Sequence, residues 1–347
     1  MPQPAPVSSA LQASGPRPEA PPDVSVLVPA KDEAENLPLF MEQAAAAFAA
    51  DPQVRYEVVV IDDGSEDGSW AVLQALAARY PFLRLARHRS RRGIADALRT
   101  GYIVSEGRVL VFYPADLQFL PADIPRLVAP ILADDADLVT GYKEGKYEKA
   151  FVSGIYNRLS RTLFDVRVRD LNSVKAYRRE VMDGLPVRPD WHRYMVVIAA
   201  AQGFSIAEIP VPLFPRHAGK SKFATWHRIP IGVLDMLSVW FELRFAQKPL
   251  LLFGMLGAAM FALGVLAGLF ALAWLAVTGY GVRWVWTLIT TTLILGGIFL
   301  STGILGELVA GQRAEMRELR RRLDELSAER ETAAERDAGD SSPGGAR

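Results

Sequence analysis

Two long stretches without any charged residue limit what this chain can fold into. Pro249 to Val277 is the first stretch and Val285 to Gly306 is the second. Each is longer than the roughly 20 apolar residues that a helix needs to cross the hydrocarbon core of a bilayer. The alternative, a helix buried inside a soluble protein, is disfavoured at these lengths. Because the linker "TGYGVRW" is short, the sequence predicts two transmembrane helices that form a hairpin.

The charges around the hairpin predict its orientation. Two basic residues, Arg244 and Lys248, lie before the first stretch, and a single arginine, Arg283, lies in the linker. Further basic residues follow the second stretch: Arg313, Arg317, Arg320, Arg321 and Arg322. Loops that stay in the cytoplasm carry an excess of Lys and Arg. We therefore expect a multi-pass protein of the cytoplasmic (inner) membrane, with both termini and the N-terminal half in the cytoplasm.

The rest of the chain divides by composition. Residues 1–22 and 338–347 are rich in Pro, Ala, Ser and Gly, and they are predicted to be disordered tails. Residues 225–247 predict an interfacial amphipathic helix, with a buried soluble helix as the alternative. Residues 248–310 hold the two spans. Residues 311–337 are predicted to form a charged cytoplasmic helix. Its apolar residues have the spacing of a short coiled coil, which suggests a homo-oligomer. These residues are Met316, Leu319, Leu323 and Leu326.

Composition excludes several classes of function. The chain has 39 basic and 39 acidic residues, so its charge gives no reason to expect binding to nucleic acid. It has no cysteine, which rules out disulfides and thiolate-bound zinc. Its four histidines are scattered along the chain, which disfavours a metal site built from histidine.

The segment from Val24 to about Gly141 alternates apolar strands with helices. "VSVLVP", "YEVVVIDD", "FLRLAR", "RVLVFYP" and "ADLVTGY" read as strands, and helical segments separate them. Continuous apolar strands that alternate with helices predict an α/β fold, a mostly parallel sheet covered on both faces. Ligands of such sheets bind beyond the carboxyl ends of the strands.

Polar side chains follow three of these strands. They are Asp32 and Glu33 after the first strand, Asp62 and Asp63 after the second, and Asp116 with Gln118 after the fourth. Helix capping is the alternative explanation, since Asp is a common N-cap residue. The clustering instead favours a polar ligand at this edge of the sheet. No G-x-G-x-x-G and no P-loop motif is present, so the usual dinucleotide and nucleoside-triphosphate sites are not predicted.

Six short motifs in a fixed order resemble those of a known family. They are "VPAKDEAENL", "VVVIDDGSEDGS", "GIADALRTGY", "ADLQ", "VRDLNSVKAYRREV" and "PRHAGKSKF". Together with the hairpin, they resemble a family 2 glycosyltransferase of the GT-A fold, and most closely the polyprenyl-phosphate and dolichyl-phosphate hexosyltransferases. The resemblance runs from about Val24 to Gly306 and implies a GT-A catalytic domain over residues 23–224.

The resemblance implies a role for each matching residue. The nucleotide pocket would be lined by Pro29, Asp32 and Glu33. The base or ribose would contact Asp62, and Asp63 would also belong to the substrate-binding residues. Mg²⁺ or Mn²⁺ would be bound by Asp116 and Gln118. The sugar and acceptor site would include Asp170 and Ser173, and phosphates would be bound by Arg216, Ser221 and Lys222. In this chain Pro114 stands where the family usually has a first metal-binding Asp, and "NSVK" is shorter than its family counterpart.

The implied reaction moves a hexose from a nucleotide-diphosphate sugar to a polyprenyl phosphate, with inversion at the anomeric carbon. A divalent ion and fixed cations would stabilise the leaving diphosphate. A phosphate acceptor is already anionic near neutral pH, so His192 is expected to be structural or to contact the acceptor rather than to act as a base. Three alternatives remain: a processive polysaccharide synthase, an inactive membrane scaffold, and a glycosyltransferase with another cell-envelope acceptor.

Overall fold

The computed structural model describes residues 21–144, 164, 166, 168–183, 185, 191–218, 228–245, 248–281 and 283–340. The chain divides into two compact units, the first ending at Met236 and the second beginning at Leu237. The first unit contains an α/β sheet, and the second contains two long apolar helices.

The described residues of the first unit form one sheet of seven strands. The strands are β1 (Val24–Ala30), β2 (Tyr56–Asp62), β3 (Leu83–Arg87), β4 (Val109–Phe112), β5 (Leu138–Glu144), β6 (Lys175–Arg178) and β7 (Ile206–Pro212). Their order in the sheet is β3-β2-β1-β4-β6-β5-β7. All neighbouring strands are parallel except β6, which is antiparallel to both β4 and β5.

Helices connect the strands and cover the sheet. They are α1 (Leu37–Ala49), α2 (Ser69–Arg79), α3 (Ile94–Val104), α4 (Ile124–Leu132), α5 (Glu180–Asp183) and α6 (Met195–Ala201). Strand β2 is buried along its whole length, as expected for a central strand with helices on both faces. Helix α3 packs closely on the sheet at Gly101, where a Cβ atom would lie 3.0 Å from the side chain of Ile61.

The alternating pattern correctly predicted β1 to β5 and the helices α1 to α4. Strand β4 ends at Phe112, two residues before Pro114, and Tyr113 continues its pairing through a main-chain hydrogen bond to Leu27 O (3.1 Å). Strands β6 and β7 were not predicted from the sequence. Strand β6 has only four residues, and β7 contains two prolines.

The C-terminal helices are α7 (Arg228–Phe245), α8 (Pro249–Thr278) and α9 (Arg283–Asp340). Pro249–Thr278 and Arg283–Met316 are long and apolar enough to cross a membrane by length and composition. The two helices approach closely at two glycines, because a Cβ on Gly257 would lie 2.9 Å from Gly296 O. Glycines allow such close contact between transmembrane helices. Helix α9 continues from the second candidate span to residue 340, so the charged helix expected over residues 311–337 is part of this longer helix.

The predicted boundaries of the other segments stay predictions. The interfacial role of residues 225–247 can be tested only with a membrane. The coiled coil around Met316 can be tested only with a second copy of the chain. The tails fall mainly on residues outside the described ranges.

Candidate functional site

The topology brings four polar segments to one edge of the sheet. Strands β1, β2, β3 and β4 are parallel neighbours, so their carboxyl ends share that edge, with Ala30 opposite Asp62 and Asp62 opposite Arg87. Strand β6 runs in the opposite direction, so its first residue, Lys175, pairs with Phe112 at the end of β4. The segment before β6 therefore lies at the same edge as the segments that follow β1, β2 and β4.

Hydrogen bonds join the loop after β1 to the loop after β2. The main-chain N–H of Asp32 donates to Ser65 Oγ (2.9 Å), and its carboxylate accepts from the N–H of Glu66 (2.9 Å). The N–H of Glu33 donates to Ser69 Oγ (2.9 Å). Asp32 has a φ of 51°, a left-handed conformation that Asp tolerates better than most residues. The two loops thus form one connected surface.

Asp62 is fully buried beneath this surface. One of its oxygens accepts a hydrogen bond from the N–H of Ser65 (2.8 Å), and the other lies 3.2 Å from Nε of Arg87. The Arg87 guanidinium also lies over the ring of Trp70, 5.0 Å from its centroid. Asp62 therefore orders the loop after β2 and holds Arg87 at the edge of the site.

The carboxylate of Asp63 holds the loop after β3 in place through hydrogen bonds. Its carboxylate accepts hydrogen bonds from His88 Nδ1 (2.8 Å) and from the N–H groups of Arg92 (2.7 Å) and Gly93 (2.8 Å). His88 Nε2 in turn lies 2.9 Å from the hydroxyl of Thr100. Burial opposes ionisation of Asp63, but these donors outweigh it and hold the pKa of Asp63 below its ordinary value. This structural role of Asp63 was not predicted from the sequence.

Asp116 lies in a tight turn after β4 that Leu117 closes with a φ of 58°. One oxygen of Asp116 accepts a hydrogen bond from the N–H of Gln118 (3.1 Å), as in an Asx-turn. Its other oxygen lies 2.8 Å from Nη2 of Arg216, and the side-chain oxygen of Gln118 accepts from the same nitrogen (3.4 Å). The structure therefore brings together three residues that the sequence had assigned to the site.

The oxygens of Asp116 and Gln118 fit a divalent cation. They converge on one point that a cationic nitrogen occupies, and Mg²⁺ and Mn²⁺ prefer oxygen ligands of these types. No group of three or more His, Cys, Asp or Glu residues that could hold a metal occurs in the described part of the chain. The remaining ligands would have to come from phosphate oxygens and water, which is a common arrangement for Mg²⁺.

A buried cluster of charges lies beside β5 and β6. Asp170 is almost fully buried and lies 3.1 Å from Nζ of Lys143. Lys175 is also buried, donates to Ser173 O (2.8 Å) and faces the ring of Phe112. Burial lowers the pKa of Lys175 to about 8, and the positive charge of Lys143 contributes to the shift. Neither lysine was predicted as a site residue from the sequence, although Lys143 directly follows the predicted strand "ADLVTGY" and lies near the end of β5.

His192 is buried near the same cluster. It is 4% exposed, and its ring lies edge-on to Phe112, with the two ring centroids 6.1 Å apart. Burial lowers the pKa of His192 to about 3, and the charges of Lys175 and Arg193 add to the effect. The imidazole is therefore neutral at physiological pH and has little access to solvent.

The remaining predicted residues are placed as follows. Pro29 is half-buried in β1, opposite Ile61 of β2. Ser221 and Lys222 lie outside the described residues. The same holds for Lys220 of the basic segment "RHAGKSK" (residues 216–222), so the binding of a phosphate by this segment stays a prediction.

Residues 25–180 match the sequence model of Glycosyl transferase family 2. The chain carries a family 2 glycosyltransferase domain. This result confirms the predicted family and, together with the mixed, mostly parallel sheet, the predicted GT-A-like α/β fold. The matched region contains every described candidate residue of the site except His192 and Arg216.

Two curated relatives extend the similarity beyond this domain. The dodecaprenyl-phosphate galacturonate synthase of Rhizobium johnstonii is 28% identical over 299 residues, which cover 83% of this chain and 88% of the relative. The undecaprenyl-phosphate 4-deoxy-4-formamido-L-arabinose transferase of Shewanella sediminis is 27% identical over 303 residues, which cover 85% and 89%. Both alignments are far longer than residues 25–180, so the glycosyltransferase resembles these enzymes outside the domain as well.

Solved structures also resemble this glycosyltransferase, at lower similarity. Glucosyl-3-phosphoglycerate synthase from Mycobacterium tuberculosis, in complex with Mn²⁺, uridine diphosphate and glucosyl-3-phosphoglycerate, is 18% identical, with a TM-score of 0.49. The match covers 66% of this chain and 86% of that chain.

Proposed function

We propose that this glycosyltransferase moves a sugar from a nucleotide-diphosphate donor to a polyprenyl phosphate in the membrane. The observation that carries the proposal is the alignment with enzymes named for dodecaprenyl phosphate and undecaprenyl phosphate. Those alignments extend over more than four fifths of this chain, well beyond the family 2 domain. The two candidate membrane spans suit an acceptor that is itself a membrane lipid.

The donor would bind on the surface formed by the loops after β1 and β2. Pro29, Asp32 and Glu33 would line this surface. Asp62 orders the loop after β2, and Asp63 fastens the neighbouring loop after β3. Asp116 and Gln118 would hold Mg²⁺ or Mn²⁺, which would neutralise charge on the leaving diphosphate. Three residues of the basic segment "RHAGKSK" would bind the same phosphates: Arg216, Ser221 and Lys222.

The acceptor would bind near the buried charges beside β6. A phosphate monoester has a second pKa of about 6, so it is already a nucleophilic anion at neutral pH. The reaction therefore needs no general base, which agrees with a neutral, buried His192. Lys143 would attract the lipid phosphate, and Asp170 would hold Lys143 in position through their 3.1 Å ion pair.

The site would face the cytoplasm at the inner membrane. This orientation rests on the basic residues that flank the hairpin on its proposed inner side and on the single arginine in its linker. The scaffold and processive-synthase alternatives are not favoured. The chain keeps Asp116, Gln118 and Arg216 in mutual contact, and its described helices include two candidate spans rather than the several that a polysaccharide channel needs.

The test is a transfer assay with the full-length protein in lipid nanodiscs. Nucleotide-activated hexoses, uronic acids and 4-amino-4-deoxy sugars are each incubated with undecaprenyl phosphate and Mg²⁺, and lipid products are identified by mass spectrometry. We expect one class of donor to give a glycosyl-phospholipid and Asp116→Asn to abolish it.

Each alternative predicts a different result. Donor hydrolysis without a lipid product would favour another cell-envelope acceptor. No turnover of any donor in a folded preparation would favour the scaffold and would refute the proposal.

A further inference from the structure

A cation of the protein itself lies where the two candidate metal ligands converge. Nη2 of Arg216 is 2.8 Å from Oδ2 of Asp116 and 3.4 Å from Oε1 of Gln118. The contact is largely shielded from water, because the side chains of Arg216 and Asp116 are 21% and 11% exposed. One nitrogen atom therefore contacts both oxygens that the proposed function assigns to the divalent ion.

We propose that Arg216 acts as a latch on the metal site: in the donor-free protein its guanidinium competes with the divalent ion for Asp116 and Gln118. The ion can then bind firmly only when the donor diphosphate gives Arg216 another anionic partner. This inference rests on the proposed function, because it takes a metal-dependent donor as given. It differs from a simple phosphate-binding role, since it assigns Arg216 an inhibitory contact before the donor arrives.

Charge explains why the two cations exclude each other. The site contributes one carboxylate, and Arg216 already neutralises it. A divalent ion at the same oxygens would lie within a few ångströms of the guanidinium, and like charges at that distance in a partly buried site repel strongly. A diphosphate removes the conflict, because a guanidinium forms paired hydrogen bonds with phosphate oxygens and the ion gains phosphate ligands.

The main chain around Arg216 allows the side chain to move alone. The N–H of Phe214 donates to Gln118 O (2.9 Å), and the N–H of His217 donates to Asp116 O (3.5 Å). These two hydrogen bonds fasten the segment beside the Asp116 turn without using the guanidinium. The long Arg216 side chain can therefore turn from the carboxylate to a phosphate while its backbone stays in place.

The experiment measures Mn²⁺ binding to the full-length protein without donor, from the electron paramagnetic resonance signal of free Mn²⁺. Arg216→Ala removes the competing cation, and we expect about tenfold tighter binding than in the wild type. Tenfold corresponds to an ion pair of about 1.4 kcal/mol. The matched control is Arg126→Ala, which removes another arginine–aspartate pair, 2.8 Å from Asp123, and should leave Mn²⁺ binding unchanged.

Two further variants make the result decisive. Arg216→Met preserves side-chain bulk and should reproduce the gain if Arg216→Ala fails to fold. Adding Asp116→Asn to Arg216→Ala should abolish the gain. Mn²⁺ binding in both Arg216 variants that is equal to or weaker than that of the wild type would overturn the latch. An inactive transfer assay with this binding pattern intact would instead refute the proposed reaction and leave the latch standing.

Discussion

Replacing Asp63 tests whether this carboxylate is a structural anchor or a ligand of the substrate. Its oxygens accept three hydrogen bonds of 2.7–2.8 Å in a site that is 5% exposed. A hydrogen bond to a charged group contributes about 1.5–3 kcal/mol, and unsatisfied buried donors remain when the acceptor is removed. Because the three bonds share one carboxylate and are not additive, we expect Asp63→Ala to lower the free energy of unfolding by about 3–5 kcal/mol.

The assay is thermal unfolding in detergent followed by tryptophan fluorescence. For a domain of this size each kcal/mol shifts the melting temperature by about 2–4 °C, so Asp63→Ala should melt roughly 10 °C below the wild type. The control is Asp96→Ala, which removes an exposed carboxylate from the first turn of α3 and should have a small effect.

The difference between wild type and Asp63→Ala should also depend on pH. The pKa of Asp63 is lowered in the folded protein, so the carboxylate contributes its full stability above the ordinary Asp pKa of about 3.9. The contribution is lost as pH falls through the lowered pKa. If Asp63→Ala instead melts like the wild type but fails to bind nucleotide, the structural reasoning is wrong and Asp63 contacts the substrate.

Three further predictions follow from the backbone and the hairpin. Gly64→Ala should lower both stability and nucleotide binding, because φ of Gly64 is +72° and an added Cβ would lie 2.9 Å from the main chain after β3. The control is Gly68→Ala, where φ is +88° and no atom lies within 4 Å of the added Cβ. In a melting assay Gly68→Ala should lower the free energy of unfolding by only about 1–2 kcal/mol. Gly257→Val should separate α8 from α9 and lower the melting temperature more than Gly257→Ala. A cysteine at Gly281 should react with an impermeant reagent outside the cell and one at Ser341 should not; the reverse would refute the cytoplasmic site.

The sequence by itself determined the architecture of both halves. Apolar runs such as "YEVVVIDD" can be buried on both faces only in a sheet with helices on either side, so β1 to β5 were readable from pattern alone. The uncharged run from Pro249 to Val277 likewise predicts a long helix, and these residues form α8. In each case a local pattern sets the structure.

Short or irregular elements could not be read in this way. Strand β6 has four residues, "KAYR", with a buried lysine at its start, and no local pattern marks it as the antiparallel strand between β4 and β5. Strand β7 contains Pro210 and Pro212, which usually argue against a strand. Pairing with β5 at the end of the sheet allows these prolines, and that position is a property of the whole fold.

The roles of the candidate residues depended even more on tertiary structure. The sequence marked Asp62 and Asp63 alike, yet the fold surrounds the second with donors from a loop about 30 residues further along the chain. It also marked Asp116 and Arg216 separately, and only the folded chain places them 2.8 Å apart. Local pattern identifies which side chains are polar at the end of a strand. Which partner each one meets depends on contacts between distant segments, because burial and charge act through space rather than along the chain.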